Sequence, residues 1–163
     1  MLKRIVVGGL SLTAAGLISI ATWEGFKGEA YIPVPGDVPT IGFGHTEGVE
    51  LGQTVTVPEA LKLLQRDVVR AERAVKSCVR VKLTQGYYDV LVSFAYNIGE
   101  TAFCSSTLVK RLNKLDYEGA CREILRWDKV RVTTDSGEIS YVTVKGLTNR
   151  RKNESNACLD SIN

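Results

Sequence analysis

The most regular hydrophobic pattern lies in the middle of the chain. Leu61, Leu64, Val68, Ala71 and Val75 recur at the spacing that places side chains on one face of an α-helix. Thr56, followed three residues later by Glu59 and with Pro58 in the first turn, is a capping box that starts such a helix. Tyr87 to Asn97 reads as a second, more apolar helix closed by Gly99. The serine before Thr107 can cap a third, carrying Leu108, Leu112 and Leu115, and Tyr117 to Trp127 repeats the pattern with Ala120, Ile124 and Trp127. Val130 to Val144 breaks it, because β-branched runs around Asp135-Ser136-Gly137 predict a hairpin. Thr148 is expected to cap a last helix running through Cys158. Ahead of all these, Gly25 to His45 holds three prolines and five glycines among short β-prone runs, the pattern of a small sheet with tight turns. The expected fold is α+β and mainly helical, with a small N-terminal β-lobe, a larger helical lobe and a cleft between them.

The first residues follow another pattern. Lys3 and Arg4 precede nineteen uncharged residues, Ile5 to Trp23. As one helix these would reach about 28 Å, close to the thickness of a bilayer core. Charge before the stretch and none within it suit a segment inserted with its N-terminus inside. Much of it is nevertheless small or weakly polar, including Gly8, Gly9, Ser11, Thr13 and Gly16. A cleaved signal peptide ending near Ser19-Ile20-Ala21 and a buried core helix are two readings. A releasable signal anchor over residues 1–23 explains both the flanking charge and the dilute hydrophobicity. It would leave 24–163 as the working domain, exported to the periplasm and first tethered to the inner membrane through residues 5–22.

Composition narrows the function. The chain of 163 residues has a net charge of +3, with no dense basic run or aromatic-basic stripe, which argues against nucleic acid as a partner. His45 is the single histidine and no Cys-x-x-Cys occurs, so neither a metal nor another cofactor is expected. Cys78, Cys104, Cys121 and Cys158 all lie from residue 78 onward, and export would lead them to pair.

Trp23-Glu24-Gly25 places a carboxylate at the start of the folded body. Cleaving a glycosidic bond requires a protonated carboxylic acid beside the leaving oxygen, and a second carboxylate to activate water or stabilise the developing cation. Glu24 keeps distinctive company: Ala30-Tyr31, then Pro39-Thr40-Ile41-Gly42-Phe43-Gly44-His45-Thr46, then Phe94-Ala95-Tyr96-Asn97-Ile98-Gly99. Phe103-x-x-Ser106-Thr107-Leu108, Gly119-Ala120-Cys121 with Trp127, and Lys145-Gly146-Leu147-x-x-Arg150-Arg151 with Cys158 complete the set. Over nearly all of Glu24 to Cys158 the chain resembles the phage endolysins of glycoside hydrolase family 24, which include the T-even phage lysozymes.

The resemblance implies a monomeric two-lobed enzyme acting on peptidoglycan strands, at the β-1,4 bond from N-acetylmuramic acid to N-acetylglucosamine. Glu24 would be the general acid and Thr40 would help to hold the attacking water. The family's second carboxylate falls at Pro33 here, so Asp37, in the Pro35-Gly36-Asp37 turn, is the nearest replacement and Glu29 a weaker one. An inverting reaction would want the two carboxyl groups roughly 6.5–9.5 Å apart. Asn97 would border the sugar cleft as well as ending its helix, and Arg150 or Arg151 would meet anionic wall peptide or pair with Glu154. His45 and Trp127 read as structural. The pairing expected is Cys78–Cys104 and Cys121–Cys158, the latter because related endolysins carry cysteines at both points. A lytic transglycosylase cutting the same bond and a wall-binding homologue without activity are the alternatives.

Overall fold

A computed structural model describes residues 3–133 and 137–162. Residues 134–136, in the tip expected of the hairpin, lie outside the described residues. Element order is helix α1 (Ala14–Glu24), strands β1 (Lys27–Tyr31) and β2 (Thr40–Gly42), helices α2 (Val57–Cys78) and α3 (Gln85–Ile98), and short helices α4 (Glu100–Ser105), α5 (Thr107–Leu112) and α6 (Tyr117–Glu123). Strands β3 (Lys129–Thr133) and β4 (Ile139–Thr143) precede the last helix, α7 (Lys145–Asp160). This is the expected α+β architecture. β1 and β2 pair antiparallel to make the small lobe, and the helices make the large one.

The core sits in the helical lobe. α2 buries Ala60, Leu64, Val68, Ala71, Ala74 and Val75 along one stripe, while Leu61 is only partly buried. Its start is the expected box: the Glu59 carboxylate accepts from the Thr56 N–H at 2.8 Å and from its hydroxyl at 2.6 Å. α3 runs through the middle of the lobe and buries Tyr87, Tyr88, Leu91, Val92, Phe94 and Ala95. Phe94 meets Phe103 and Trp127 edge-on at 6.4 and 5.8 Å, which settles Trp127 as a packing residue. Ser106 caps α5 by accepting from the Val109 N–H at 3.2 Å. Disulfides Cys78–Cys104 and Cys121–Cys158 tie α2 to α4 and α6 to α7, with Cα–Cα separations of 5.5 and 5.6 Å. In the chain-entropy account each closure is worth about 3–4 kcal/mol.

Two expectations are corrected. The uncharged stretch from Ile5 to Trp23 is not one helix. A 3-10 turn at Val7–Gly9 is followed by extended chain, and α1 begins only after Thr13, whose hydroxyl accepts from the Gly16 N–H at 3.0 Å. Val7 and Leu10 are buried in the helical lobe, and Ile5 forms a β-bridge with Leu83. No helix among the described residues is long and apolar enough to cross a membrane. The second correction is at α7, which starts at Lys145, ahead of Thr148. Thr148 is no cap: its hydroxyl donates to the Asp128 carboxylate at 3.1 Å and closes the base of the β3–β4 hairpin against α7.

Candidate active site

Glu24 is the last residue of α1, and the chain leaves the helix through Gly25 at φ 72°, a conformation glycine adopts without strain. The turn delivers the chain directly into β1, so the carboxylate stands where the two lobes meet. Arg150 on α7 reaches it from behind, its Nη1–H donating to Glu24 Oε1 at 2.8 Å. The Arg150 guanidinium also lies 6.0 Å from the Trp23 ring centroid, so one cation secures two successive residues of α1. Glu24 Oε2 accepts no hydrogen bond among the described residues.

Arg150 is itself held. Its Nε–H donates to Glu154 Oε1 at 3.0 Å, and the Ser93 hydroxyl donates to the same oxygen at 3.0 Å. Arg151 pairs with Glu154 Oε2 at 3.0 Å, lies over the Phe94 ring at 5.0 Å and donates to Asn97 Oδ1 at 3.0 Å. Burial pulls the Arg151 guanidinium down to about 10, which leaves it charged at neutral pH. Arg150, Arg151 and Glu154 are thus a buried network whose outer edge is Glu24. Arg150 makes its contacts with the protein, while Asn97 stays exposed at the end of α3.

The β-lobe supplies the opposite wall. Thr40 is buried at the start of β2, and its hydroxyl donates to the Val38 carbonyl at 3.2 Å, leaving oxygen lone pairs to accept from water. Asp37 lies in an exposed turn closed by its own N–H to the Val34 carbonyl at 3.0 Å. Asp37 Oδ1 takes the Val38 N–H at 2.9 Å, and Oδ2 has no partner among the described residues. Glu29, in β1, is exposed. Gly44 at φ 94° lets the chain after β2 come within 3.9 Å, measured from a Cβ built there, of the Tyr96 hydroxyl. A cleft of about 410 Å³ opens here, lined by Gly44, His45, Asp67, Arg70 and Tyr96. Burial, with the negative charges of Glu24 and Asp67 beside it, pushes the Tyr96 phenol far above its ordinary value, so it remains a neutral hydrogen-bonding wall.

His45 bridges the lobes, with Nδ1 2.9 Å from Asp67 on α2 and Nε2 3.0 Å from the Glu47 carbonyl. Asp67 and the role of Tyr96 were not singled out from the sequence. Tyr96 sat inside a motif already noted, whereas Asp67 is one charge among several on the solvated face of α2.

A two-lobed, mainly helical domain with a carboxylic acid at the junction is the architecture of a glycan-cleaving lysozyme. The chain belongs to the Phage lysozyme family, whose model matches residues 21–154. An endolysin of Acyrthosiphon pisum secondary endosymbiont phage 1 is 34% identical over 145 residues, covering 89% of this chain and 95% of its own. The SAR-endolysin of Pseudomonas phage phiKMV is 33% identical over 160 residues, covering 98% and 94%. The solved endolysin from Escherichia coli O157:H7 phage FAHEc1 has a TM-score of 0.83 at 38% identity, covering 95% of this chain and 97% of that one.

Proposed function

We infer that the chain is a peptidoglycan-degrading endolysin, a lysozyme that hydrolyses the β-1,4 bond between N-acetylmuramic acid and N-acetylglucosamine as a monomer. The observation that carries the reading is Glu24 at the lobe junction, with one oxygen fixed by Arg150 and the other open. Glu24 Oε2 gives its proton to the leaving oxygen as the glycosidic bond breaks. Water held by the Thr40 hydroxyl adds to the sugar carbon, and Asp37, through its free Oδ2, accepts the water's proton. Asn97 meets the glycan at the end of α3, and Arg150 serves by holding the acid.

Glu24→Gln should reduce clearing of chloroform-treated cells at least about a hundredfold, with the unfolding temperature unchanged. Undiminished clearing would refute the reading. Mass spectrometry of digested wall separates the two chemistries: reducing muramic ends mark hydrolysis, and anhydro ends would mark a transglycosylase. Asp37→Asn should slow the reaction, and unchanged kcat would remove Asp37 from the mechanism.

We propose further that residues 1–23 begin as a signal anchor, with 5–22 in the inner membrane and 24–163 in the periplasm, and that the segment is then released. Support comes from the charge before the stretch, its dilute hydrophobicity and a relative named SAR-endolysin over nearly the whole chain. In the folded form the same segment lies against the helical lobe and ends on the acid. Gly8, Gly9 and Ser11 are exposed there, and neither a Cβ at Gly8 nor one at Gly9 would clash. Leucine at these three positions should hold the protein in the membrane fraction without lysis. Full lysis from the membrane-bound form would sink the proposal.

A further inference from the structure

α1 ends in Glu24, so whatever places α1 also places the acid. Its own surface does this weakly. Only Gly16, Ile20 and Ala21 are buried, and Ile18 is 61% exposed. A cavity of about 570 Å³, lined by Gly16, Ser19, Trp23, Ser93 and Glu154, runs between it and helices α3 and α7. A helix seated on so little apolar area needs another device to set its register.

That device lies at its N-terminal end. The Leu12 N–H donates to Glu72 Oε1 at 2.8 Å, and the Tyr88 hydroxyl holds the same oxygen at 2.7 Å. The Thr13 N–H donates to Asp89 Oδ1 at 3.2 Å, and the Thr13 hydroxyl donates to Asp89 Oδ2. Gln85 Nε2 joins the two sides, donating to the Ser11 carbonyl and to Asp89 Oδ1, both at 2.9 Å. Lys76 stands 3.9 Å from Glu72. Asp89 is the only charged residue of α3, otherwise an apolar and polar-neutral helix. A Cβ built at Gly16 would lie 3.0 Å from Asp89 Cγ and 2.6 Å from Leu12 Cδ1, so glycine at that position lets α1 seat closely on Asp89.

We propose that Glu72 and Asp89 are positioning residues for the acid: they form a dock that grips the main chain at the start of α1 and fixes the register in which Glu24 meets Arg150. The dock belongs to α2 and α3, whose own apolar faces are buried in the core. Two carboxylates also complement the positive end of the α1 macrodipole. While residues 5–22 are elsewhere, the dock is empty and Glu24 unplaced, so filling the dock and completing the site are one event. This rests on Glu24 being the acid, and the experiment separates the two ideas.

The full chain, in a Trp127→Phe background so that Trp23 alone reports, is compared with Thr13→Val, Thr13→Ser, Asp89→Ala and the Thr13→Val/Asp89→Ala double variant. The two disruptive single variants should lower kcat roughly tenfold to a hundredfold, the cost of a misplaced group, and shift Trp23 emission. KM should stay within about twofold, since the cleft wall is untouched. Thr13→Ser should restore activity, and the double variant should be no worse than the poorer single. A merely structural role would lower the unfolding temperature and leave kcat per folded molecule intact. That result, or losses that multiply in the double variant, would overturn the dock. Should Asp89→Ala fail to fold, Thr13→Val carries the test from the other side. Activity surviving Glu24→Gln would instead refute the acid, while Trp23 emission would still report the dock.

Discussion

α1 and α2 both pack on α3, yet by opposite means. α2 is twenty-two residues long, begins with a capping box and commits six buried side chains to the core. α1 is half that length, eleven residues, and buries a glycine, an isoleucine and an alanine. What α1 lacks in apolar area it makes up in polar contacts at its two ends, to Glu72 and Asp89 at one and to Arg150 at the other. The helix that builds the lobe is held by burial, which has no direction. The helix that ends at Glu24 is held by hydrogen bonds, which have direction and also break one by one. Precision of placement and ease of detachment come from the same contacts.

The largest expected effect comes from cutting one of those polar ends. Arg150→Ala leaves Glu24 and part of Glu154 without their cation in a buried site, and should cost about 3–5 kcal/mol in urea unfolding together with nearly all wall-clearing activity. Next is a test of the contrast itself. Leu64→Ala on α2 should cost about 2–5 kcal/mol, with activity per folded molecule preserved. Ile20→Ala on α1, equally buried in the core, should also lower kcat, because α1 carries Glu24 at its end. Equal stability losses with equal kcat would break the comparison. The smallest effect is expected from Thr56→Ala, about 1 kcal/mol through the lost cap, with no change in kcat.

α2 was readable from the sequence because its determinants are local: a capping box, a proline in the first turn and an apolar stripe at helical spacing. Of the stripe expected, Leu64, Val68, Ala71 and Val75 are buried, Ala60 and Ala74 join them, and Leu61 is only partly buried. α1 was not readable in this way. Its one local signal is the Thr13 cap, and the carboxylates that fix its start lie 60 and 76 positions further along the chain. The start of α7 failed for a related reason, since Thr148 lies inside that helix and turns its hydroxyl to Asp128 at the base of the hairpin and to the Val144 carbonyl, capping no N–H. In the site, the motifs marked Glu24, Thr40, Asn97 and Arg150, but the chain of contacts joining Glu24 to Arg150, Glu154 and Arg151 exists only once α1 meets α7. Charges on solvated faces, such as Asp67 and Glu72, carry no signal until the fold gives them a partner.

Both disulfides close inside the helical lobe, and neither reaches residues 5–24. On the proposed release of residues 5–22, oxidation would govern how long the enzyme lasts, and the arrival of α1 would govern when it starts. A reductant added before α1 has docked should shorten the working life of the protein without advancing or delaying the onset of lysis. Durability and timing would then be set by separate parts of the chain, each open to change without disturbing the other.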